Sequence, residues 1–589
     1  MLSVANRSAL IIALLLAGAL IAYILPPPWR RTRRLLSAGI LILAGAAALS
    51  IAGITANGSI VTTFGQGVSG VPLTLRADPT GLALVLIALV ASFFALGAAD
   101  RQPGEEAALL VTAAGAALAA LAGNAVMLFA GAEIASLGGL LLASAGREHV
   151  SRGAAVAFTI QHVFALGLLV AAVQLIVATG TSNPYAVPPS AVGISVALPW
   201  ALAGAGRLLA AGWWPGAAGG RSTRSWLAIG AVPCGAAVLL RLGAATGGAE
   251  NPGVTVVLAT VGTAAALWGA VAAWRWKHES RRAGRALLTA SAGTLVAIAG
   301  IPGGAGGFAA GVVALELALL AAPAWTRPTL PSRRGRALAA TALAAAGGLP
   351  IGFGTTAIVL ELGAVASLGR PYAPLLLALG TAAVVAAGGG LVAARQAIGL
   401  AALPTEPAGA APTPSARPGS TSLGEPPSDG TETSPSGLLR RGVVPRPDAA
   451  VALALGAAAA LLPGIVGALV LIPLVGGDAP ASIDAATLHG PGGPWPGGYL
   501  SLALLVVLLG VVSAGLALGL PFPHPAHGEW GKRPRPVWVA ALGARRTFGP
   551  PARGLWRGLA RVDAWLVTQP GLIFTVVAAL AALIGFHYL

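Results

Sequence analysis

Residues 123–142, GNAVMLFAGAEIASLGGLLL, decide the fold. They form an apolar run of about 20 residues, the length that crosses roughly 30 Å of hydrocarbon. The one charge, Glu133, sits about ten residues into the span, too deep for its side chain to reach the water. Working outward, the same pattern recurs. Apolar stretches fall near 8–25, 35–55, 80–98, 106–122, 124–145, 153–178, 191–212, 226–247, 253–274, 284–301, 304–325, 337–368, 373–394, 448–475, 498–519 and 568–588. That makes about 16 spans, with 337–368 taken as one long, interrupted span.

The composition of the 589 residues agrees with this reading. Charged residues are 9%, where soluble domains carry roughly 25%. The residues AVILMFWYC make up 56%, and the mean hydropathy is +0.82. These values exclude a soluble globular enzyme and a disordered chain. The expected fold is an all-α polytopic membrane protein. The 82 glycines fit it, because small residues let membrane helices approach closely. The single cysteine, Cys234, excludes an intrachain disulfide, a CxxC pair and a cysteine-rich metal site.

The net charge of +17 invites a nucleic-acid reading, and its distribution argues against one. Of the 36 Lys and Arg, 31 fall in alternate loops, three on the opposite side (Arg7, Arg76, Arg370) and two inside spans (Arg207, Arg241). By the positive-inside rule the crowded side is cytoplasmic. The sequence therefore predicts a multi-pass protein of the inner (cytoplasmic) membrane with both termini outside. Residues 9–25 lack a following A-x-A cleavage site and read as a retained first helix.

Three regions follow. Residues 1–396 form a dense transmembrane core. Residues 397–446 are rich in Pro, Ser, Thr and Gly and read as a disordered cytoplasmic linker. Residues 447–589 form a C-terminal unit with three spans and a basic cytoplasmic segment, 521–567. That segment reads either as an amphipathic helix lying on the surface or as a solvated loop with Trp at the headgroups.

No soluble chemistry is written in the chain. The runs GGAGG (303–307) and AAGGG (386–390) lack the Lys-Ser/Thr of a phosphate loop, and there is no HExxH or GxSxG. No cofactor and no metal are expected. What remains is a short set of ionisable residues inside spans, where such groups mark water paths or buried pairs. Glu133 reads as a protonatable site or half of an ion pair, against a neutral Glu hydrogen-bonded for packing. His162 reads as a proton relay or a satisfied core histidine. Arg207 keeps its proton and is a fixed charge, the candidate partner of Glu133. Glu316 stands in mid-span. Arg241 reads as a snorkelling anchor and Glu361 as interfacial. GLPIGFG (348–354) and GWWPG (212–216) interrupt apolar stretches, either as in the broken helices of transporters or as a plain kink or tight external hairpin.

Several of these stretches together resemble the antiporter-like membrane subunits shared by respiratory complex I, hydrogenase-4 (formate hydrogenlyase) complexes and Mrp-type cation/proton antiporters. LRADPTGLALVLI (75–87) is similar to the family's Asp-containing start of its third helix. GNAVMLFAGAEIASLGGLLL (123–142) is the best match, with an Asn, a Glu nine residues on, then Ser-Leu. AFTIQHVFALGLLVAAVQLIVATGT (157–181), the span with Arg207 and Trp-Trp-Pro, LLTASAGTLVAIAG (287–300) and GGLPIGFGTTAIVLELG (347–363) resemble later helices, in the right order. The resemblance covers roughly 70–400. It implies two broken helices and a proton path along the midplane, in which a Glu of the fifth helix pairs with a Lys of the seventh.

Glu133 carries over, and the lysines do not. The seventh-helix position falls at Ala210, with Arg207 one turn away. The position after the GLP break holds Ile358, and the eleventh-helix Lys is absent, with Glu316 close by. A relay needs groups that lose and regain protons near neutral pH, so these departures weaken pumping more than fold. The resemblance implies a membrane-arm subunit of a proton-translocating redox complex. Its path would use Glu133, His162 and Glu316, with Arg207 as charge partner. Its partners would be other integral membrane subunits, protons or monovalent cations, and the lipid bilayer. The alternatives are a degenerate, non-pumping structural subunit of such a complex, or a stand-alone ion/proton transporter.

Overall fold

The computed structural model describes residues 4–399, apart from connecting stretches at 56–58, 67–71, 99–103, 146–151, 189–191, 214–225, 246–251, 278, 302–304, 327–332, 349–352 and 369. The expected linker beyond Gly399 and the C-terminal unit 447–589 lie outside the described residues.

The described chain is a helical bundle. Its α-helices are α1 (Val4–Ile24), α2 (Arg30–Thr55), α3 (Pro79–Ala98), α4 (Glu105–Ala120), α5 (Ala125–Ser144), α6 (Arg152–Thr179), α7 (Ile194–Trp213), α8 (Val232–Ala245), α9 (Pro252–Arg275), α10 (Ser280–Ala299), α11 (Ala305–Thr326), α12 (Arg333–Ala346), α13 (Phe353–Ser367) and α14 (Ala373–Gly399). Eight apolar segments among the described residues are long enough to cross a membrane, in α1, α2, α3, α5, α6, α7, α9 and α14. Shorter apolar helices fill α8, α11 and α12. Every span expected up to residue 394 corresponds to helix, and 337–368 is two helices, α12 and α13. Gly348, at φ +78°, lies just past the end of α12, in a backbone region that glycine enters without strain.

The all-α expectation needs one correction. Strands β1 (Ile60–Gln66) and β2 (Pro72–Ala77) pair as an antiparallel hairpin between α2 and α3. Asn124 ties this hairpin to the membrane helices. Its Oδ1 accepts from Met127 N at 2.8 Å and caps α5. Its Nδ2 donates to Pro72 O and to Thr74 Oγ1.

Glycines set the closest contacts. A Cβ on Gly115 of α4 would overlap the Ala135 backbone of α5, and one on Gly131 would overlap Ala119. Gly262 of α9 meets Gly293 and Ala297 of α10 in the same way. Such approach is how helices associate where lipid gives no hydrophobic drive. Trp226 lies against Gly139, and the five residues after it, Leu227–Ala231, form a π turn that leads into α8. On the outside, α6 presents Ile160, Val163, Leu166, Val170, Val173 and Val177.

Candidate functional site

Three neighbouring helices bring charge together inside the bundle. Helix α5 carries Glu133, and Ser136 follows three residues on, on the same face. Helix α6 carries Gln161 and His162, and α7 carries Arg207. His162 Nδ1 lies 2.7 Å from Glu133 Oε2. With the carboxylate ionised, the imidazole donates. Phe158, one turn earlier, stacks on the ring with centroids 5.9 Å apart and fixes its plane.

Arg207 approaches the same carboxylate from the other side. Its Nη2 is 3.9 Å from Glu133 Oε1 and donates to Ser136 Oγ at 3.2 Å and to the Gln161 backbone oxygen at 3.4 Å. Side-chain exposure grades across the site, at 1% for Arg207, 16% for Glu133 and 42% for His162. The fixed cation is inside and the titratable ring is at the rim. At about 4 Å and an effective dielectric near 20, the Coulomb attraction is about 4 kcal/mol. A hydrogen bond to a charged group contributes about 1.5–3 kcal/mol. The two contacts are of similar size, so Glu133 is held between two partners of which only the imidazole readily gains and loses a proton near neutral pH.

The arrangement brings Glu133, His162 and Arg207 together and leaves Glu316 out. Glu316 of α11 is 2% exposed, and neither carboxylate oxygen has a hydrogen-bond partner among the described residues. Glu361 of α13 is 4% exposed, with Oε1 resting over Gly311 of α11. A Cβ at position 311 would overlap that oxygen, so the carboxyl would have to turn aside.

Arg241 also departs from expectation. It does not snorkel as a free anchor. It is buried and pairs with Asp78, just before α3, through Nη1 to Oδ2 and Nη2 to Oδ1. It also donates to Tyr185 Oη at 3.1 Å, Ala120 O at 2.7 Å and Arg76 O at 3.3 Å. Arg76 lies over the Tyr185 ring at 4.0 Å and donates to Asp78 Oδ2. Asp78 Oδ1 accepts from Gly81 N at 2.7 Å and caps α3. Sequence reasoning missed this cluster and Gln161, whose backbone oxygen accepts from Arg207 and whose side chain is fully buried with neither polar atom partnered among the described residues. Asp78 and Arg241 each stood out in the sequence, and their pairing did not.

No protein-family model matches the sequence, and no curated protein matches it. Solved structures do. A chain of the Mrp complex from Dietzia sp. aligns with a TM-score of 0.68 at 20% identity, over 99% of this chain and 63% of that one. This chain therefore spans less than two thirds of the length of that relative. A chain of the membrane-bound sulfane sulfur reductase, an archaeal respiratory membrane complex, aligns at 0.58 and 15% identity, over 98% of this chain and 99% of its own. A chain of respiratory complex I from Thermus thermophilus, solved with bound aureothin, aligns at 0.56 and 20% identity, over 81% of this chain and all of its own. At these identities the likeness concerns the fold, and it bears out the antiporter-like resemblance read from the sequence.

Proposed function

We propose that this chain, which has the fold of antiporter-like membrane subunits, serves in the membrane arm of a proton-translocating redox complex. Its proton-exchanging group would be the Glu133–His162 pair. The observation that carries the proposal is the 2.7 Å contact between two titratable side chains, Glu133 within the bundle and His162 at its rim, with Arg207 3.9 Å away on the opposite carboxylate oxygen. A relay needs a donor and an acceptor within hydrogen-bond reach, and this pair meets that geometry.

His162 takes the part that a titratable lysine has in the resemblance, and Arg207 only sets the field. When His162 gains a proton, Glu133 faces two cations. When it loses one, Arg207 alone holds the carboxylate. Glu316 would serve as a separate proton-carrying acid, because nothing in the site reaches it directly.

The test is Glu133→Gln, which keeps shape and most packing. Proton movement, read from an internal pH dye in vesicles holding the intact complex, should fall to background while co-purification of partner subunits is unchanged. Unaltered movement in that variant overturns the proposal. The structural-subunit reading has its own support in the non-titrating Arg207 and the isolated Glu316, and it gains if flux is unaltered while deletion of the chain dissolves the complex. Activity in vesicles holding this chain alone would favour a stand-alone transporter.

A further inference from the structure

We propose that the first turn of α2 is a binding site for the phosphate of an anionic lipid, with Arg33 and Ser37 as its ligands. Helix α2 opens Arg30-Arg31-Thr32-Arg33-Arg34 and has no acidic residue in its first turn. A helix start carries partial positive charge and favours anions, so a run of arginines there opposes the helix dipole. An anion resolves the conflict.

The arginines are not equivalent. Arg34 has a counter-ion, with Nε 4.0 Å from Glu106 Oε1 at the start of α4. Arg33 is 5% exposed, its Nε has no hydrogen-bond partner, and no carboxylate among the described residues pairs with it. Ser37 is one turn farther on the same face, fully buried, and its hydroxyl is also unpartnered among the described residues. A buried guanidinium without a counter-ion is strongly unfavourable. The pair Arg33 and Ser37 offers a planar fork of N–H donors and one hydroxyl, which is what a phosphodiester accepts.

The surroundings choose the source of the phosphate. Trp29 and Tyr23, both more than half exposed, flank the turn as aromatic groups do at headgroup level. Leu20, Ile21, Ile24 and Leu35 are exposed beside it and give acyl chains an apolar surface. A basic cluster directly against a membrane helix is the usual form of anionic-lipid recognition. A free phosphate ion would share the phosphate contacts and none of the apolar ones.

The experiment uses the full chain in its complex, placed in nanodiscs of phosphatidylcholine with or without phosphatidylglycerol. Native mass spectrometry on release should find phosphatidylglycerol retained on the wild type. Retention should be at least about tenfold weaker on Arg33→Met, and equal to wild type on Arg282→Gln, which removes an exposed arginine elsewhere. Thermal melts give the second readout. Arg33→Met should melt higher than wild type in phosphatidylcholine, where the buried charge has no counter-ion, and lower in phosphatidylglycerol. Equal lipid retention by Arg33→Met, or a variant that melts lower in both lipids, overturns the proposal. Inorganic phosphate that raises the wild-type melt as much as the lipid does also overturns it, in favour of a free anion.

Discussion

Glu133 and Glu316 look alike in the sequence, each a lone carboxylate in an apolar helix, and the structure gives them opposite surroundings. Glu133 has an imidazole on one oxygen and a guanidinium near the other. Glu316 is more deeply buried and has no side-chain hydrogen bond among the described residues. The first is a charge the fold is built around. The second is a group the fold tolerates, in apolar surroundings. A buried acid in a membrane helix is thus two different objects, and only the facing helices tell them apart.

The contrast can be broken most directly through stability. Glu133→Leu should cost the most, about 3–5 kcal/mol, because it leaves Arg207 buried without a carboxylate. A denaturation midpoint in mild detergent reads it, and a silent Glu133→Leu would mean that water already screens Arg207. Arg241→Leu should follow at about 3 kcal/mol, since Asp78 loses its main partner while Arg76 still reaches it. The same melts in the Asp78→Leu and double variants should return most of that loss as coupling. His162→Phe keeps the stacking with Phe158 and removes only the hydrogen bond, so about 1.5–3 kcal/mol is expected. Glu316→Leu closes the series with a change of about 1 kcal/mol or less, of either sign. A large loss there would reveal a partner for Glu316 and erase the distinction between the two acids.

The helices were legible because a membrane span announces itself by length and composition alone. The Glu133–Arg207 pairing was partly legible, since Arg207 lies one turn from the position that the resemblance assigns to the partner of Glu133. His162 was singled out for its chemistry, and its distance to Glu133 was not readable, because nothing in α6 alone fixes how it turns toward α5. Arg241 was misread for a related reason. Its position near a helix end suits snorkelling, and its partner lies 163 residues earlier. The hairpin escaped notice because β1 and β2 are short, β1 is interrupted by Gly65, and both are set between long apolar runs. The packing of Glu361 over Gly311 was not legible, because it joins two helices about 50 residues apart.

The π turn at Leu227–Ala231 has a consequence for phase. One residue of α-helix is a rotation of about 100°. A π turn inserts the equivalent of one residue, so everything beyond it is rotated by about that angle from where an unbroken helix would carry it. Trp226, before the insertion, faces Gly139 of α5, and Arg241, after it, faces Asp78 at the head of α3. A regular helix would satisfy one of these appointments and miss the other by more than a quarter of a circle. Deleting a single residue from the turn should therefore act like a key cut one notch out, with every tooth intact and the lock no longer engaged.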